Sequence, residues 1–191
     1  MAAVNQLIQD FYRVAQQRDF ARDFSFRLLA ITPGDASSIT FNQDDLVYIK
    51  TASLPGRDLQ NVEVPYMGLK FNVPGSVVYP DSGGYELTFY ADQNSKIRQQ
   101  FEQWSRDIFD DASSTGNYFT PKQTSTIDMV QLDPQMNAIG QYQLVGVAVN
   151  KVGNLEYKPS EGTGTVVEFK ATITYHYWTR SKPTPKVLPT I

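Results

Sequence analysis

Residues able to do acid–base or metal chemistry are few and scattered in this chain. His176 is the single histidine among 191 residues, and cysteine is absent. Disulfides, thiol catalysis and cysteine-ligated metals are therefore excluded, and one chain cannot form a two-histidine metal site. A lone histidine could act as a general base or pH sensor. His176, however, is the last polar position in a run that alternates polar and apolar, which reads as the wet face of a strand. Asp44-Asp45 and Asp110-Asp111 are adjacent acids of the kind used by general acid–base work or a hard cation. Both pairs fall in segments that read as loops, without an Asp-x-Asp-x-Asp-Gly pattern, so they read as solvated loop charge. Gly162-Thr163-Gly164-Thr165 has the small residues of a phosphate-cradling loop, but no Lys-Ser/Thr follows and no helix opens after it, so it reads as a hairpin turn. No Gly-x-Ser-x-Gly elbow, Walker loop, dinucleotide fingerprint or His-Glu-x-x-His is present. No catalytic, cofactor-binding or metal-ligating residue is assigned, and no cofactor is expected.

The elements that could position such groups are mostly strands. Val166 to Trp178 places Val167, Phe169, Ala171, Ile173, Tyr175 and Tyr177 on one side and Glu168, Lys170, Thr172, Thr174 and His176 on the other. Period-two alternation without Gly or Pro predicts one strand with a buried and a wet face. Thirteen extended residues would span roughly 43 Å, far beyond a typical strand. Such a strand suits a barrel or tube wall better than a compact enzyme.

Further strands are predicted from Phe24 to Ala30, Leu46 to Ala52, Tyr66 to Val73 (closed by Pro74-Gly75), Tyr85 to Ala91, Gln123 to Leu132 and Gln141 to Val149. Leu54-Pro55-Gly56-Arg57 carries a turn signal, because Pro presets φ and Gly supplies a positive one. Val4, Leu7, Ile8, Phe11 and Val14 follow helical spacing and predict an N-terminal amphipathic helix near residues 3–17. Ile97, Phe101, Trp104 and Ile108 do the same for a second helix, with Asn94 or Ser95 as its cap, laid over a face or end of the sheet. Trp104 reads as core and Trp178 as core or interface. The organisation expected is an N-terminal helical arm over 1–18, one β domain over 19–179, and an extended Pro-rich arm over 180–191.

Composition agrees with a globular β protein. Apolar residues make up 41%, aromatics 13%, and net charge is -3, with no basic patch to grip nucleic acid. No apolar run approaches a membrane span, and the N-terminus lacks the layout of a signal peptide.

Several motifs occur in a telling order. Asp19-Phe20-Ala21-Arg22 leads into Phe24-x-Phe26, followed by Ala52-Ser53-Leu54-Pro55-Gly56 and Val64-Pro65-Tyr66-Met67-Gly68. Then come Tyr85-Glu86-Leu87-Thr88-Phe89-Tyr90 and the helix Ile97-Arg98-Gln99-Gln100-Phe101-Glu102-Gln103-Trp104. Tyr142-x-Leu144-x-Gly146, Val152-Gly153-x-Leu155-x-Tyr157 and a closing Tyr-x-Tyr-Trp complete the series. Over residues 19–178 the chain resembles the tail tube proteins of contractile-tailed bacteriophages, a family related in fold to type VI secretion tube proteins. It departs at Asn150-Lys151, where the family often has an aromatic-Pro pair.

The resemblance implies a mainly β subunit, barrel- or sandwich-like, with a flanking α-helix and an N-terminal helix. It implies hexameric rings stacked into a tube, inside a sheath and joined to baseplate and tape-measure proteins. DNA would pass through the bore without specific binding, with no membrane involved and no enzymatic activity. The particle would be a virion tail assembled in the host cytoplasm. Family usage of a long inter-strand loop makes the Ala52 to Pro65 loop, and within it Leu54, Pro55, Gly56, Arg57 and Asp58, the candidate contact between stacked rings. Glu168, Lys170, Thr172, Thr174 and His176, with Glu86 and Thr88, form the candidate tube-wall face; alternation does not tell whether it meets the bore or the outside. The arm's Lys182 and Lys186 suggest an acidic partner surface. The rivals are a tube-fold baseplate initiator or terminator and, from another class, a monomeric β-barrel binding protein; an enzyme is a more distant reading.

Overall fold

The alternating segments form two antiparallel four-stranded sheets whose apolar faces meet. The computed structural model describes residues 8–17, 21–34, 39–116, 121–160, 162 and 164–181. In chain order the elements are α1 (Ile8–Gln17), β1 (Phe26–Thr32), α2 (Gln43–Leu46), β2 (Ile49–Thr51), β3 (Asp58–Tyr66), β4 (Leu69–Val78), β5 (Tyr85–Tyr90) and α3 (Lys96–Ile108). There follow β6 (Phe109–Asp110), β7 (Thr115–Gly116), β8 (Thr126–Leu132), β9 (Ala138–Val145), β10 (Ala148–Val152), β11 (Glu168–Thr174) and β12 (Tyr177–Ser181). One sheet has the order β1-β8-β9-β12 and the other β10-β11-β5-β2; β3-β4 and β6-β7 are separate two-stranded ribbons.

The core is shared between the two sheets. Leu28, Ile31, Ile127, Met129 and Leu144 come from the first, and Tyr85, Leu87, Phe89, Phe169, Ala171 and Ile173 from the second. The helix α3 closes one side with Ile97, Phe101 and Trp104, as its apolar stripe demands. Phe101 is fully buried, its ring 5.0 Å from Phe41 and 5.6 Å from Phe89, centroid to centroid. Burying one such ring is worth roughly 1.5–3 kcal/mol. Ser95 occupies the N-cap position at φ 51 but makes no side-chain cap bond. Instead Gln99 Nε2 reaches the Asn94 carbonyl at 3.3 Å.

The thirteen-residue strand does not exist as one piece. Val166 to Trp178 is divided between β11 in the second sheet and β12 in the first, with Tyr175 and His176 as the corner. The preceding long segment turns the same corner: β9 lies in the first sheet, β10 in the second, with Gly146-Val147 between them. The two corners are hydrogen-bonded. His176 N donates to Val145 O at 2.9 Å, and the Gly146 and Val147 amides both donate to Ser125 O, at 2.9 and 3.2 Å. Ser125 Oγ in turn donates to Val147 O at 2.5 Å. Strands that switch sheets at a bend are how orthogonal sandwiches make their corners. Tyr175 is buried like Ile173, but beyond the bend it is Trp178, opposite the buried Leu144, that packs on the core, so the facing side switches; the adjacent aromatics Tyr177 and Trp178 hide that switch in the sequence.

Other boundaries move as well. β1 begins at Phe26, leaving Phe24 69% exposed. The expected strand from Leu46 is the end of α2 followed by the short β2. The expected Tyr66–Val73 strand starts at Leu69 and runs on through Pro74-Gly75 to Val78. Its partner β3 lies in the region expected to be a loop. β9 begins at Ala138, and the Asn150-Lys151 departure coincides with an irregularity in the β10–β11 register between Val149 and Lys151. Among the described residues, no helix is long and apolar enough to cross a membrane. The arm beyond Ser181, and the helix positions before Ile8, lie outside the described residues.

Candidate assembly surfaces

The ribbon β3–β4 is the outstanding surface feature. Nearly every residue of it is exposed, yet it is far from polar. Cross-strand partners share a face in an antiparallel pair, so the register sorts the ribbon. Val62 faces Val73, Val64 faces Phe71, and Tyr66 faces Leu69, three apolar rungs on one side. Asn61, Glu63, Asn72 and Lys70 occupy the other side, where Glu63 and Lys70 form a 2.8 Å ion pair. The six apolar side chains are 45–65% exposed. Met67 at φ 48 and Gly68 at φ 80 make the tight turn at the tip, and Met67 is 85% exposed. A two-stranded ribbon is marginal by itself in water, and an exposed apolar strip of this kind marks an interaction surface.

The segment Leu54 to Asp58 is the ribbon's root. Pro55 is buried, Leu54 is 39% exposed, and Arg57 and Asp58 are exposed. Trp178 Nε1 donates to Gly56 O at 2.9 Å, and the buried Tyr85 hydroxyl donates to Ser53 O. Burial pushes the Tyr85 phenol well above its ordinary pKa. The turn signal at Leu54-Pro55-Gly56 thus marks an anchored bend, with the free surface farther out.

Pairing of β5 with β11 places Glu168 opposite Tyr90, Lys170 opposite Thr88 and Thr172 opposite Glu86, all on the sheet's outer face. Lys170 Nζ lies 3.1 Å from Glu86 Oε2, and Lys50 pairs with Glu168. The hydrogen bond to Glu168 holds the Lys50 ammonium above its usual pKa. Thr88 belongs to this face but is buried between its neighbours Thr51 and Lys170. Thr174 is half-buried and reaches the Ala148 carbonyl at 3.3 Å. His176 sits apart at the corner, its ring directly over Gly146. Over this face runs an open groove of about 950 Å³, bordered by the connection from Gly153 to Val167. Lys50 with Glu168 and Lys170 with Glu86 offset one another's charge across it. Gly162 and Gly164 take positive φ in that long connection instead of a tight hairpin turn.

One acid of each adjacent pair has a structural partner. Asp45 meets Lys96 at 2.9 Å, tying α2 to the start of α3. Asp110 accepts from Ser113 Oγ at 2.6 Å and from the Ala112 amide at 3.1 Å, which holds its carboxyl below the usual range. Among the described residues, no group of three acids or histidines could hold a metal ion.

A family model for phage tail tube proteins matches residues 15–181. The chain belongs to the phage tail tube protein family. Its family is one of structural tube proteins, not enzymes. Solved structures share the fold at low identity. A chain of the anti-feeding prophage baseplate superposes with a TM-score of 0.60 and 12% identity, over 86% of this chain and 97% of that one. A chain of the PVC sheath/tube terminator, an extracellular contractile injection system in its extended state, gives 0.57 and 8%, over 86% and 98%. One from the PVC sheath–tube complex gives 0.55 and 7%, over 90% and 97%. No curated protein sequence matches significantly.

The ribbon's apolar face was missed in the sequence, although a signal existed. Val62, Val64 and Tyr66 alternate on one side of Met67-Gly68 and Leu69, Phe71 and Val73 on the other, a symmetric hairpin pattern interrupted only by Pro65.

Proposed function

We propose that this tail tube family member is the repeating subunit of a contractile tail tube, assembled as hexameric rings whose stacked bores conduct DNA during ejection. The observation that carries the reading is the apolar face of β3–β4, which a working protomer must cover with another subunit. Leu54, Pro55, Gly56, Arg57 and Asp58 root that ribbon and contribute to the contact between stacked rings. Ring closure uses the edges of the first sheet, with β12 of one copy beside β1 of the next. Four antiparallel strands end on opposite directions, so head-to-tail repetition preserves the alternation. Six copies of the four-stranded sheet, at about 4.8 Å per strand, make a ring roughly 115 Å around and about 37 Å across. Closure also removes exposed strand edges.

Glu86, Thr88, Glu168, Lys170, Thr172 and Thr174 form tube wall, with His176 at its margin. With ring closure through the first sheet, this face of the second sheet is the tube's outer wall, and pairing of lysine with glutamate keeps it close to neutral. Sheath, baseplate and tape-measure proteins are the partners, in a virion tail assembled in the host cytoplasm. Size-exclusion chromatography with negative-stain microscopy tests the reading: rings and tubes are expected, and a lone monomer at high concentration refutes it. Intact polymerisation after Arg57→Glu, or after deletion of 54–58, would remove that segment from the contact. A subunit that starts or ends the stack is the second reading, supported by baseplate and terminator chains among the fold neighbours. It predicts assemblies of a few layers rather than long tubes.

A further inference from the structure

The helix α1 also presents an apolar face to solvent. Ile8, Phe11, Tyr12 and Ala15 lie along one stripe of the helix, while Arg13 and Gln16 lie on the other side. Ile8 is 76% exposed, Phe11 59% and Tyr12 61%. Among the described residues, α1 has no extended packing contact with another element. A ten-residue helix is marginal in water without a surface to pack on.

The ribbon offers such a surface. Its rungs Val62/Val73, Val64/Phe71 and Tyr66/Leu69 are about 6.8 Å apart, so the strip is about 14 Å long. Ten helical residues span about 15 Å. The exposed strip covers on the order of 600 Å², at the top of the range for the largest apolar patch on a monomer. With the helix stripe and the ribbon's flanks it comes near the roughly 800 Å² per partner of a stable contact. The opposite ribbon face is mixed: Asn61, Glu63, Lys70 and Asn72 stand between Pro65 and Pro74, and its exposed aliphatic pair Leu59/Val77 lies only at the root.

We infer that α1 of one copy packs across the apolar face of the β3–β4 ribbon of a neighbouring copy. The inference rests on the tube reading and names the partner surfaces within it. In its own protomer the strip stays open, with all six side chains at least 45% exposed, so the covering helix comes from a second copy. Each copy then donates one helix and accepts one, a heterologous contact that repeats along an array. The ribbon and helix together form a two-layer unit that neither makes alone.

The chain contains no cysteine, so an introduced pair reports on itself alone. One tagged population carries Tyr12→Cys and a second, differently tagged, carries Phe71→Cys; the two are mixed, assembled and oxidised. A disulfide-linked species bearing both tags is expected in assemblies, and none in the dispersed mixture. Assemblies that form without that species overturn the inference. So does a cross-linked monomer when both substitutions sit in one chain. If the cysteine variants do not assemble, hydrogen exchange on wild-type assemblies decides. Residues 8–17 and 62–73 are both expected to slow at least about tenfold on assembly, and an α1 that exchanges as in the dispersed protein overturns the inference. Wild-type protein that forms no assembly at all refutes the tube reading itself.

Discussion

Gly146→Ala tests the corner that lets two long segments pass from one sheet to the other. Gly146 has φ +70, a region that costs a residue with a Cβ about 1–2 kcal/mol. A Cβ there would also lie 2.2 Å from His176 Nδ1 and 2.6 Å from Cγ. Because Cγ is the root of the ring, turning the imidazole about its own bond cannot clear the overlap. The exposed His176 must leave its place over Gly146 by a change of χ1, or the corner backbone must shift, at a cost of about 1–3 kcal/mol more. The expected loss is therefore about 2–5 kcal/mol, or a fall in Tm of roughly 4–20 °C for a domain of this size. His176→Ala in the same chain removes the overlap and leaves the φ penalty, so the double variant regains the steric part and stays about 1–2 kcal/mol below its His176→Ala parent. Urea unfolding of dispersed protein, followed by tryptophan fluorescence, measures both. A single variant as stable as wild type, or a double variant no better than the single, would refute the account of the corner.

Trp178→Phe keeps an aromatic ring but removes the indole's second ring and its bond to Gly56 O; a loss of about 1–3 kcal/mol and faster amide exchange at Arg57 and Asp58 are expected, and unchanged exchange would contradict the anchoring role. Alkali should destabilise the fold through Tyr175, which burial first and then nearby Asp81 push up to about 12, and through Tyr85, pushed further. The folded state holds these phenols neutral while the unfolded chain ionises near 10, so their contribution is whole below about pH 10 and falls by about 1.4 kcal/mol per pH unit per tyrosine above it. In pH-dependent unfolding, Tyr85→Phe should flatten that decline; a slope equal to wild type would count against it. Lys170 and Glu86 are more than half exposed, so a double-mutant cycle should give a coupling below about 1 kcal/mol that vanishes in 1 M salt.

Much of the β framework was legible because burial on one face imposes period two. Phe89 and Leu87, or Ile127 and Met129, could only be read as strand positions facing a core. The helix α3 was equally plain from Ile97, Phe101 and Trp104. Two things escaped. The corner at Tyr175-His176 contains neither Gly nor Pro, the aromatic pair Tyr177-Trp178 masks its change of facing side, and its cause sits thirty residues away, in the space that Gly146 leaves for the His176 ring. The ribbon escaped because Pro65 and Pro74 argue against a strand interior. In a two-stranded ribbon both strands are edges, where a missing N–H costs little, and Gly75 supplies the irregularity opposite Gln60-Asn61. Leu54 to Asp58, the segment expected to make the ring contact, forms the ribbon's root, while the exposed apolar surface lies at 62–73.

The central claim is that this apolar face is covered by another copy in a working tube. Val64→Asp and Phe71→Asp, singly and together, put charge into the middle rung without touching the core. Sedimentation velocity and negative-stain microscopy at matched concentration, with Tm measured in parallel, report the outcome. The account predicts a wild type that forms rings and tubes, and a double variant that stays dispersed with dispersed-state stability within about 0.5 kcal/mol of wild type. Tubes formed by the double variant as readily as by wild type would contradict it.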